Sequence, residues 1–110
     1  MIFLATFSKA NCPEFTEHDD CAIIFENSIC DGELTKISNE FLYSQFAEVF
    51  WEDKNIGSVL VRDNCTLIIY EEQSFWGAGR VFPGSKPPYN VEGKIIGGSV
   101  GCMCKSTIKT

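Results

Sequence analysis

Six cysteines stand in this 110-residue chain: Cys12, Cys21, Cys30, Cys65, Cys102 and Cys104. At such density thiols serve as metal ligands, nucleophiles or disulfide staples, and their spacing separates the three. Zinc sites usually present close Cys or Cys/His pairs with two to four residues between them. Here successive cysteines lie 9, 9, 35, 37 and 2 positions apart and no Cys-x-x-Cys occurs. The single histidine, His18, sits in an acidic run, Glu17-His18-Asp19-Asp20, that reads better as a solvated loop than as a metal site. Three disulfides are therefore expected, with no metal. Nucleophilic catalysis by Ser or Cys needs a histidine placed by the fold, and a loop histidine does not meet that need. Fifteen Asp and Glu are present, but no pair stands out for carboxylate-driven hydrolysis. Gly97-Gly98 lacks the Lys-Ser/Thr that follows a phosphate-cradling loop, and Gly77-Ala78-Gly79 reads as a hairpin turn. The expectation is a protein that is not an enzyme, without catalytic residues or cofactors.

The composition narrows the class further. A chain of this length fits one domain, and its 45% hydrophobic and 13% aromatic content is that of an ordered globule. A net charge of -6 argues against nucleic acid, whose phosphates are held by clustered Lys and Arg. It equally disfavours a purely electrostatic hold on an anionic membrane. No apolar run approaches the roughly 20 residues of a spanning helix, so the chain is not expected to be transmembrane. Residues 1–10 open on Met1-Ile2-Phe3-Leu4-Ala5-Thr6-Phe7, with small residues at Ser8 and Ala10. They fit a signal-peptide remnant, with a plain first strand as the other reading. Asn64-Cys65-Thr66 is a glycosylation sequon, making Asn64 a candidate modification site.

The elements that must position these residues read as strands. Residues 11–20 are polar and form an N-terminal arm held by Cys12. Ala22-Ile23-Ile24-Phe25, Glu33 to Ile37 and Ile56 to Val61 have strand texture, with turn residues between the first two. Between them, Leu42, Phe46, Val49 and Phe50 fall at helical spacing behind Ser38 or Asn39 as an N-cap, which predicts a short helix or an aromatic-faced loop over 39–51. Thr66 to Tyr70 and Arg80-Val81-Phe82 are further strands around a turn at Phe75 to Gly79. Pro83 to Pro88 is a turn-rich loop, extended to Tyr89 as a candidate contact surface, and Ile95 to Val100 leads into Gly101-Cys102-Met103-Cys104. The 105–110 tail is polar.

The two halves match. Phe25 and Gly32 are seven apart, as are Tyr70 and Gly77, and Ile56-Gly57-Ser58-Val59 corresponds to Gly97-Gly98-Ser99-Val100. The offset is 45 at the first landmark and 41 at the second, which suggests a duplicated unit packed against its copy. About four strands per unit make an eight-stranded sandwich.

This aromatic-x6-Gly spacing, followed by a late Ser opening a strand, resembles the Greek-key motif of the βγ-crystallins. The resemblance implies that the aromatic covers a folded hairpin, that the Gly takes a positive φ, and that the Ser hydroxyl bonds the hairpin. Those structural roles fall to Phe25, Gly32 and Ser58 in one unit and to Tyr70, Gly77 and Ser99 in the other. Some members bind calcium through an acidic pair before that Ser. Lys54 and Gly57 break the first such window and the second has no carboxylate, so no calcium site is expected. From Cys12 to Cys104 the chain also resembles the syncollin family of pancreatic secretory granules. The resemblance is carried by Cys12, Cys21 and Cys30, by Cys65-Thr66-Leu67, by Gly77-Ala78-Gly79 and by the closing Cys102-Met103-Cys104. The loop through 39–52 and the lack of an adjacent Cys-Cys pair near Cys30 depart from that pattern.

Taken together, the expected fold is all-β: a βγ-crystallin-like sandwich of two Greek-key motifs over 21–104, disulfide-stapled, with one key at 21–63 and the other at 64–104. In such a fold the first and fourth strands of a unit are neighbours, which implies that Cys65 meets Cys102 or Cys104. The remaining one then reaches Cys12, Cys21 or Cys30. The syncollin resemblance implies a secreted or secretory-granule protein that self-associates and meets a lumenal membrane surface or granule cargo. The alternative is a secreted binding module, whether lectin-like, a protease inhibitor or a toxin or antimicrobial, with Phe75, Trp76 and Tyr89 as the candidate binding surface; Pro87 directly after Lys86 disfavours an inhibitory loop cleaved at Lys86.

Overall fold

The computed structural model describes residues 12–16, 19–39, 41–43, 55–84, 87–95 and 98–105. Eight strands follow one another: β1 Asp20–Asn27, β2 Asp31–Ser38, β3 Phe41–Tyr43, β4 Ile56–Val61, β5 Cys65–Tyr70, β6 Gly79–Pro83, β7 Tyr89–Ile95 and β8 Ser99–Cys104. They form two four-stranded antiparallel sheets, ordered β2-β1-β4-β7 and β3-β8-β5-β6. Each sheet takes three strands from one half of the chain and its remaining edge strand from the other. The third strand of the first half, β3, pairs with β8, and its counterpart β7 pairs with β4. This exchange makes the two Greek keys one sandwich, because neither sheet is complete without the other half.

Alternation along the strands sets the core. Ala22 and Ile24 of β1, Val59 and Val61 of β4, Leu67 and Ile69 of β5, and Val100 and Cys102 of β8 point inward and pack in one buried cluster. The opposite face of β1 is buried too. Ile23 and Phe25, with Leu60 opposite Ile23, lie beneath Cys12, Phe15 and Cys30. The N-terminal arm thus roofs the outer face of the first sheet. The Cys12–Cys30 disulfide ties it to the β1–β2 hairpin, and the Arg62 guanidinium lies 5.8 Å from the Phe15 ring while donating to the Asp20 carbonyl.

Two expectations need correction. The helix proposed over 39–51 does not begin there: Phe41–Tyr43, with Leu42 at its centre, is a strand paired with β8. Ser38 ends β2, and Asn39 caps no helix; its side-chain carbonyl instead accepts the Cys104 N–H. Tertiary pairing at the open edge of β8 overrides a 3.6-residue pattern. Phe46, Val49 and Phe50 lie outside the described residues. Tyr89, grouped with the preceding loop, instead opens β7, opposite Val59. Residues 1–10, His18, Lys86 and 106–110 also lie outside the described residues.

Candidate functional site

The two hairpins that begin the halves are built alike. Gly32 has φ +86° and Gly77 φ +83°, where a Cβ is strained. Ahead of each, two non-glycine residues also take the left-handed conformation, Ile29 and Cys30 in one half and Ser74 and Phe75 in the other. That costs on the order of 1–2 kcal/mol per residue. A buried serine holds each hairpin down. Ser58 Oγ donates to the Asn27 carbonyl (2.6 Å) and accepts the Cys30 N–H (3.0 Å). Ser99 Oγ donates to the Glu72 carbonyl (2.7 Å) and accepts the Phe75 N–H (2.9 Å). Phe25 is fully buried, whereas Tyr70 is half-buried and meets the Phe75 ring edge-on at 5.6 Å.

All six cysteines are paired: Cys12–Cys30, Cys21–Cys102 and Cys65–Cys104. The first pins the arm, the second crosses from β1 in one sheet to β8 in the other, and the third joins residues opposite each other on β5 and β8. Asn64 sits exposed in the β4–β5 turn with φ +68°, its carbonyl accepting the Lys105 N–H. Among the described residues, the one group with metal-ligand proximity is Cys21, Cys65 and Cys104, whose sulfurs are committed to disulfides.

The three aromatics suggested as a binding surface do not come together. Trp76, 70% exposed, stands at the β5–β6 hairpin with half-buried Phe75 beside it. Tyr89 lies toward the other end of β6, where its hydroxyl donates to the Pro83 carbonyl and its ring packs 5.3 Å from Phe82. It belongs to the rim of the core.

A different surface emerges on the outer face of the second sheet. Thr66, Ile68 and Tyr70 of β5 point outward, opposite Pro83, Val81 and Gly79 of β6. On the other side Thr66 and Ile68 face Met103 and Gly101 of β8. Val81 and Met103 are each 59% exposed. An apolar groove of about 260 Å³ runs along Thr66, Ile68, Tyr70, Gly101, Cys102 and Met103. By the repeat offsets Ile68 and Tyr70 correspond to Ile23 and Phe25, and Gly101 to Leu60. The groove is thus the counterpart of the face that the arm roofs in the first sheet, hollowed where glycine replaces leucine. The signal was present in Thr66-Leu67-Ile68-Ile69-Tyr70, which is apolar at both parities although one parity suffices for a one-faced strand.

No family model matches the chain, and no curated protein does. Solved structures do. A βγ-crystallin domain from Flavobacterium johnsoniae aligns over 81% of this chain and 100% of its own, with a TM-score of 0.65 at 16% identity. One from Clostridium beijerinckii covers 76% of this chain and 97% of its own, with a TM-score of 0.60 at 17% identity. IPSE/alpha-1 from Schistosoma mansoni eggs covers 81% and 90%, with a TM-score of 0.59 at 10% identity. Among the described residues no helix is long and apolar enough to cross a membrane. The chain has the βγ-crystallin fold, a sandwich of two Greek keys.

Proposed function

We propose that this chain is a non-enzymatic, secreted or granule-lumen protein that works by self-association, in the manner the syncollin resemblance implies. The observation that carries the reading is the open apolar face of the second sheet, Ile68, Tyr70, Val81 and Met103 around a groove. A second copy of the chain is the occupant that fits. None of these four side chains carries a charge at neutral pH, so pairing two such faces brings no like charges into contact there, whereas the chain as a whole is strongly acidic. Three disulfides support an oxidising compartment.

Sedimentation velocity on the full oxidised chain, at about pH 5.5 and pH 7.4, tests the reading. A concentration-dependent dimer or larger species is expected. Co-sedimentation with neutral and cholesterol-containing vesicles in the same buffers then tests whether the assembled form meets a lipid surface. A monomer at both pH values, left in the supernatant, would overturn it. The secreted binding module would then lead, on the strength of exposed Trp76 at the β5–β6 hairpin.

A further inference from the structure

The Sγ atoms of Cys21, Cys65 and Cys104 lie within 4.8 Å of one another, although they belong to two different disulfides. The bridges are unequal in access. Cys21 and Cys102 are buried, at 0% and 1% exposure, inside the sandwich where no external thiol reaches them. Cys65 is likewise buried, but its partner Cys104 is half-buried at the end of β8, next to exposed Lys105. Disulfide exchange proceeds by thiolate attack on a disulfide sulfur, with access and the leaving thiol setting the rate.

We propose that these four cysteines form one thiol–disulfide exchange site, with Cys104 as its entry and Cys65 as the internal nucleophile. An external monothiolate attacks Cys104 Sγ, a mixed disulfide forms there, the Cys65–Cys104 bond breaks and its electron pair leaves on Cys65. The Cys65 thiolate then attacks Cys21 Sγ. The Cys21–Cys65 bond forms, Cys21–Cys102 breaks, and Cys102 leaves as the thiolate, taking up a proton from solvent. The number of disulfide bonds is unchanged, so no oxidant is consumed. Attack falls on Cys21 rather than Cys102 because Cys21 is the member of the buried bridge that lies within reach of both other sulfurs. Cys102 is also disfavoured as a partner for Cys104, which lies two residues along the same strand. The consequence is that a thiol at the surface moves the bridge between the sheets from β1–β8 to β1–β5, freeing Cys102, without the sandwich first unfolding.

The test treats the folded full chain with glutathione at mildly alkaline pH, quenches with acid, alkylates and maps the peptides. The expected result is glutathione on Cys104, a Cys21–Cys65 linked peptide and a shift of the alkylated thiol from Cys65 to Cys102. A Cys104→Ser variant, which leaves Cys65 as a thiol beside the buried bridge, should yield the same linked peptide with no glutathione added. Circular dichroism in the near ultraviolet verifies its fold. If the variant does not fold, the wild-type experiment decides alone. Cys65 as the sole trapped thiol with Cys21–Cys102 intact, or no uptake of glutathione by the folded chain, would overturn the proposal.

Discussion

Ser58 and Ser99 do the same work at equivalent places, and comparing them tests how each half is held. Each hydroxyl both donates and accepts within its hairpin, so replacement by alanine leaves a carbonyl and an N–H without their partner. A lost partner of this kind costs about 1–3 kcal/mol when the group stays out of water. The hairpin under Ser58 is also fastened by Cys12–Cys30, whereas the one under Ser99 has no covalent tie. Ser99→Ala should therefore lower the urea midpoint more than Ser58→Ala; equal losses would show that the disulfide adds nothing to the hairpin. The glycines give a second residue-scale prediction. Gly32→Ala and Gly77→Ala each place a Cβ at a φ near +85°, and each should lose about 1–2 kcal/mol in the same measurement.

At the scale of elements, the arm shows how a short segment without strand or helix becomes structural. It buries Ile23, Phe25 and Leu60, and its single covalent tie closes an 18-residue separation. The chain-entropy argument gives such a loop about 3 kcal/mol. Replacing both Cys12 and Cys30 by serine should lower stability by about that much, and should raise binding of a hydrophobic dye as the arm loosens; an unchanged dye signal would place the arm's hold elsewhere. The strand elements were legible to very different degrees. β1, β4 and β5 announced themselves as β-branched runs, and the offset of 45 between Phe25 and Tyr70 carried the duplication. β7 is not singled out, although Tyr89-Asn90-Val91-Glu92-Gly93-Lys94-Ile95 has an alternating texture, because the proline-rich loop draws in Tyr89 at one end and the last strand's run draws in Ile95 at the other. β3 was missed for a deeper reason. Three residues become a strand only because β8 offers an edge, and that edge is supplied by residues about 60 positions away.

At the scale of the molecule, two facts bear on what the sandwich can do. The first is that Cys21–Cys102 joins the sheets across a separation of 81 residues, for which the chain-entropy estimate is about 4–5 kcal/mol. Its removal by paired serine substitution should produce the largest stability loss of the three bridges, read as the fall in denaturant midpoint. The second is the asymmetry of the outer faces. Duplication gave both sheets an apolar outer face, but the described arm covers only the first. The sequence alone could show that β5 is apolar on both sides; it could not show which side stays open, since that depends on where the arm lies. If self-association uses the open face, a charge placed there must break it without harming the fold. Val81 and Met103 are more than half exposed, so Val81→Asp and Met103→Asp change a surface position and should alter monomer stability by no more than about 0.5 kcal/mol. In the assembled form each buries a carboxylate against Ile68 and Tyr70 of the neighbouring copy, and the interface loses far more than the fold does. Sedimentation of either variant should therefore give a monomer at concentrations where the wild type associates, with an unchanged melting curve for the monomer. Association that survives both substitutions would move the contact to another surface, and Trp76 at the neighbouring hairpin is the next position to replace.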